Sequence, residues 1–108
     1  MKRKDTKCYK DLVEKYCSNR LNFETAEDLI SDTKETIEKS QKKYAEIDNG
    51  DNAIKTWFDC FVSILNAKIE MSIMNKVYYK EKMEKFGKLL VSDYGEDLEK
   101  LYDDYEVN

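Results

Sequence analysis

The sequence predicts an all-α fold, a compact bundle of four to five helices, and three observations lead there. Proline is absent and glycine occurs only three times, too few for the turns of an all-β domain. Apolar residues recur at steps of three and four through most of the chain. Charged residues make up 39% of the composition and are interspersed as on helix surfaces. At 108 residues the chain is expected to form one domain, 1–108, with its own core.

The first helix is expected from Asp5 or Thr6, either of which can cap it, to about Ser18. Its stripe is Cys8/Tyr9, Leu12/Val13 and Tyr16/Cys17, and Ser18-Asn19-Arg20 reads as a turn. A second start signal follows at Thr25-Ala26-Glu27-Asp28, close to a capping box, with Phe23 able to pack back on the first turn. Ala26, Leu29/Ile30, Thr33, Ile37, Ser40/Gln41, Tyr44 and Ile47 continue that helix to about Asp48. Asp48-Asn49-Gly50-Asp51 is the sharpest punctuation in the chain and predicts the turn of a central antiparallel helical hairpin.

The third helix, Ala53 to Met74, organises the reading. Ile54, Trp57, Phe58, Phe61, Val62, Ile64, Leu65 and Ile69 cover more than half its circumference, which predicts a nearly surrounded central helix. Lys55, Asp59, Ser63, Asn66 and Glu70 form the remaining solvated stripe. Lys68 and Ser72 interrupt the apolar arc and favour a change of direction before Asn75. A fourth helix is expected from about Lys76 to Val91, on Tyr79, Met83, Phe86 and Leu89/Leu90, with Gly87 marking a close helix crossing. After Ser92-Asp93-Tyr94-Gly95, a short docked helix on Leu98, Leu101, Tyr102 and Tyr105 ends the chain.

Charge is distributed unevenly. The net charge is −4, yet residues 1–22 carry seven Lys/Arg against three Asp/Glu, and residues 93–108 carry one Lys against seven Asp/Glu. In a bundle the basic N-terminal segment, 1–7 at its core, is expected to pair with the acidic, Tyr-rich segment 93–108. A nucleic-acid arm built on Lys2, Arg3, Lys4, Lys7 and Lys10 is the weaker alternative, because the chain is acidic overall.

The chain has no histidine, which removes a hydrolytic triad, a His-based zinc site and the usual proton shuttle near neutral pH. Asp59 falls on the polar stripe beside Lys55, and Cys60 has no base nearby in sequence; neither reads as catalytic. There is no glycine-rich phosphate loop. A non-enzymatic protein without cofactor or metal is expected. Cys8, Cys17 and Cys60 read as reduced, mostly buried thiols, and no uninterrupted apolar run is long enough to span a membrane, so a cytoplasmic location is expected.

Recognition is what remains. Tyr94, Asp97, Tyr102, Asp103, Asp104 and Tyr105 form one candidate partner-binding face, suited to a protein or nucleoprotein partner with a basic surface. Trp57, Phe58 and Phe61 form a second, apolar one: any part of their arc left uncovered by other helices would be a homodimer or partner seam. The expected function is to inhibit or protect a macromolecular partner. The alternatives are a self-associating assembly protein and a nucleic-acid-associated regulator. The Lys, Asn, Tyr, Ile and Asp usage suits an AT-rich genome, such as that of a Gram-positive bacterium or its phage. In Asn75-Lys76-Val77-Tyr78-Tyr79, followed by a charged amphipathic helix and a C-terminal extension, the chain is similar to the immunity proteins of pediocin-type bacteriocins. That similarity implies a cytosolic four-helix bundle that protects its producer by binding a target complex.

Overall fold

The computed structural model describes residues 2–47 and 52–107, and among these the regular structure is helical throughout. The described residues form three helices, not four or five: α1 (Lys7–Ile47), α2 (Asn52–Tyr94) and α3 (Leu98–Val107). The bundle of four to five helices is corrected accordingly. The turn expected at Asp48 to Asp51 lies outside the described residues.

Each expected helix break that is absent has a local reason. No glycine or proline occurs between Lys7 and Ile47, so α1 runs unbroken for 41 residues. At the expected turn, the Asn19 side-chain amide donates to the Lys15 carbonyl one turn back, at 2.6 Å, and the backbone stays helical. The Thr25 capping signal is spent mid-helix, where Ala26 is buried. A capping sequence has nothing to cap where the preceding residues already supply the helix's hydrogen-bond acceptors. At the expected bend in α2, the Ser72 hydroxyl donates to the Lys68 carbonyl at 2.9 Å and the helix continues for 43 residues in all.

The real ends carry real caps. Thr6 Oγ1 accepts from the Tyr9 amide at 3.2 Å and opens α1. Gly95, at φ 64°, closes α2: its amide donates to the Val91 carbonyl, the 5→1 bond of an αL helix end, and the Glu96 amide donates to the Leu90 carbonyl. Asp97 Oδ1 then accepts from the amides of Glu99 and Lys100 and starts α3.

The chain divides into two compact units. The first comprises residues 1–24 and 76–108. Here α1 and α2 run antiparallel, with Tyr9 against Tyr94 and Tyr16 against Gly87, and α3 packs on both. Its core is Tyr16, Cys17, Leu90, Tyr94 and Tyr102, ringed by Tyr9, Leu12, Val13, Met83, Phe86, Leu98, Leu101 and Tyr105. Gly87 is the close approach its position in the sequence suggests. A Cβ there would lie 3.1 Å from both Leu98 Cδ1 and Tyr16 Cε1.

The second unit comprises residues 25–75, the remaining parts of α1 and α2. Its buried residues are Ala26, Thr33, Ile69 and Ser72, and the hydroxyls of Thr33 and Ser72 bond back to the carbonyls of Leu29 and Lys68. With two helical segments only, each has a single neighbour and covers a single face. The expectation of a nearly surrounded helix over Ala53 to Met74 is therefore corrected, because among the described residues of this unit nothing lies against the opposite side of α2.

Candidate functional site

The two faces of α2 in the second unit differ by what covers them. Phe58, Val62 and Leu65 are half-buried and Ile69 and Ser72 buried, a stripe at steps of four, three, four and three that faces α1. On the other side lie Trp57, Cys60, Ile64, Ala67, Met71 and Met74, at alternating steps of three and four, and every one of them is exposed. Trp57 is 66% exposed, Ile64 68%, Met71 65% and Met74 71%. These spacings are the a and d positions of a heptad, held through six consecutive places. Solvent-facing helix positions normally carry charge, so an uninterrupted apolar row there is a feature to be explained.

Aromatic packing steadies one end of the row. Trp57 stacks on Phe61 with ring centroids 5.4 Å apart and planes 6° from parallel. Phe58 stacks on Tyr44 of α1 at 4.4 Å and 10°. Ser40, Lys43, Tyr44, Ile54, Trp57, Phe58 and Phe61 border an open groove of about 230 Å³. Of the three residues expected as an apolar interface, Trp57 is exposed and Phe58 and Phe61 are half-buried.

The acidic, Tyr-rich segment is placed differently. The rings of Tyr94 and Tyr102 are 2% and 3% exposed and belong to the core of the first unit, so they hold that unit together and offer no outer surface. Asp97 caps α3. Tyr105 is half-buried, with its hydroxyl 3.4 Å from Glu14 Oε1, whereas Asp103 and Asp104 stand exposed. What sequence reasoning missed is Arg20, which it assigned to a turn. Its guanidinium donates to Tyr16 Oη at 2.9 Å and to Glu99 Oε2 at 2.7 Å, and it lies over the Tyr102 ring. Tyr102 in turn donates to Glu24 Oε2 at 2.7 Å. An arginine four residues after Tyr16 and four residues before Glu24 was the available signal.

The basic and acidic segments meet, as their charges suggest. Lys2 Nζ lies 3.1 Å from Asp93 Oδ2, and Lys4 Nζ lies 2.7 Å from Glu96 Oε1, which also accepts from the Tyr9 hydroxyl at 2.9 Å. Lys4 beside it holds the Glu96 carboxyl below the ordinary range. Burial, with the hydrogen bond to Glu96, pushes the Tyr9 phenol up to about 12. Burial also raises the Cys17 thiol, to about 11. Cys17 alone of the three cysteines is buried; Cys8 and Cys60 are exposed, which corrects the expectation that most are buried, and all three are free thiols.

Among the described residues no cluster of three or more acidic or cysteine side chains could hold a metal, and no helix is long and apolar enough to cross a membrane. Comparison with protein-family models, with curated proteins and with solved structures gives no match.

Proposed function

We propose that the protein is a non-enzymatic helical binding protein whose working surface is the bare face of α2 from Trp57 to Met74. The observation that carries this reading is the six-place heptad row with every member exposed. Apolar side chains kept in water gain free energy when another apolar surface covers them, and coiled-coil spacing fits a helix as that cover. The activity suited to such a face is occupancy, the covering of a partner's helix. The Tyr-rich tail supports this less well than α2 does, because its two most buried tyrosines are used inside the first unit. Lys2 and Lys4 are likewise engaged with Asp93 and Glu96, which leaves little support for a nucleic-acid arm. The free thiols suit a reducing compartment such as the cytoplasm.

The test compares the full chain with Ile64→Glu and Met71→Glu in lysate of a bacterial host, each crosslinked and its products identified by mass spectrometry. Both positions are exposed, so circular dichroism should show the variants as helical as the parent. Crosslinked species present with the parent and lost in both variants are the expected result. Identical species from all three would overturn the reading.

A further inference from the structure

Resting on that reading, we propose that the occupant of the α2 face is a second copy of the same chain, paired antiparallel about a two-fold axis between Leu65 and Asn66. In one antiparallel register all six places of the row pair with one another. Its a positions hold Trp57, Ile64 and Met71, and its d positions hold Cys60, Ala67 and Met74. An antiparallel pairing sets each a position against a d position. In the register centred between Leu65 and Asn66, Trp57 faces the partner's Met74, Ile64 faces the partner's Ala67, and Met71 faces the partner's Cys60. Large then meets small at two layers of every three, as close packing requires. A parallel pairing would instead set Trp57 on its own copy and Ala67 on its own copy, overfilling one layer and leaving a void at another.

The flanks agree with this register. Lys68 comes beside the partner's Phe61, an aromatic face for a cation, and Glu70 beside the partner's Ser63, a hydroxyl for a carboxylate. No like charges face each other across these flanking positions. The area is sufficient as well. With Trp57, Ile64, Met71 and Met74 each about two-thirds exposed, these four alone hold roughly 600 Å² of surface per copy; full covering would remove about 1,200 Å² in all, where specific interfaces begin. A row of this size is at the upper end of what single-chain proteins leave uncovered. By the two-fold symmetry, one such face on each copy satisfies both, and the assembly closes at two.

The test uses the full chain. Light scattering and sedimentation equilibrium across a wide concentration range are expected to show reversible passage from one chain to two, with Ile64→Glu and Met71→Glu shifting the midpoint at least tenfold upward. Thiol crosslinking reads the register in a Cys8→Ser background. Antiparallel pairing leaves Cys60 far from the partner's Cys60, so mild oxidation should yield no dimer. Met71→Cys should then give a disulfide-linked dimer, mapped by peptide mass spectrometry to Cys60 and position 71. A Cys60 to Cys60 link would overturn the antiparallel register. A single-chain mass at every concentration would overturn self-pairing. If that mass is found while the crosslinked species in lysate still disappear in Ile64→Glu, the docking reading stands and only the second copy fails; if the lysate species are also unchanged, both fail.

Discussion

The guanidinium carbon of Arg20 lies 4.3 Å from the centroid of the Tyr102 ring, and this contact ties α3 to α1. Arg20 also reaches Tyr16 and Glu99, while Tyr102 reaches Glu24. Removing the hydroxyl alone, in Tyr102→Phe, is expected to cost about 1 kcal/mol, since the ring and its cation remain. Arg20→Met, which abolishes the ring contact and the ion pair to Glu99, should cost about 2 kcal/mol. The double variant should fall short of the sum, because both side chains serve one network. Urea unfolding followed by circular dichroism measures all three.

The docking of α3 should depend on pH at both ends of the scale. Lys4 holds Glu96, and Arg20 holds Glu99, below the ordinary glutamate range. The unfolded chain therefore takes up these protons first, so their stabilisation is complete above the ordinary value of about 4.3 and is lost as the pH falls below it. Tyr9 has the opposite sign. Its phenol is raised to about 12, so its contribution is present below the ordinary value of 10.0 and is lost as the pH rises through 12. Thermal unfolding midpoints measured across pH should drop at both extremes, and Glu96→Gln should flatten the acid limb.

Gly87 is expected to resist larger side chains. Alanine there gains about 1 kcal/mol of helix propensity, and its Cβ meets Leu98 and Tyr16 at 3.1 Å, so the two effects nearly cancel. Valine adds two methyl groups to the same contact and should cost about 1–3 kcal/mol. The displaced side chain would be Leu98, so α3 should loosen first, seen as lost amide protection over residues 98–107.

The two units should differ in local stability. Leu90, with no exposed surface, packs with three buried tyrosines in the first unit, and Leu90→Ala is expected to cost 2–5 kcal/mol. Buried residues of the second unit are smaller or polar, Ala26, Thr33 and Ser72 beside Ile69. Amides of residues 25–47 and 52–75 should accordingly exchange faster than those of 9–20 and 83–94 when the protein is dilute. Exchange followed by mass spectrometry checks this, and raising the protein concentration should slow it over residues 57–74.

Much of this protein was legible in its residues alone. Helical class follows from the lack of proline, the scarcity of glycine and the period of the apolar residues, which are local properties. The cap at Thr6, the glycine end at Gly95 and the pairing of basic with acidic segments are equally local or simply Coulombic. The apolar arc of α2 was also visible, including Trp57, Phe58 and Phe61. Its fate was not. Whether Ser18-Asn19-Arg20 or Thr25 interrupts a helix depends on whether packing continues across them, and here α1 passes through both. Whether Tyr94 and Tyr102 face water or the core depends on where α3 docks, and it docks on the side that buries them. Ile64 and Ile69 are the same residue type on one helix, one 68% exposed and the other buried at 9%. Periodicity marks both as apolar, but only the number of neighbouring helices decides which one is covered.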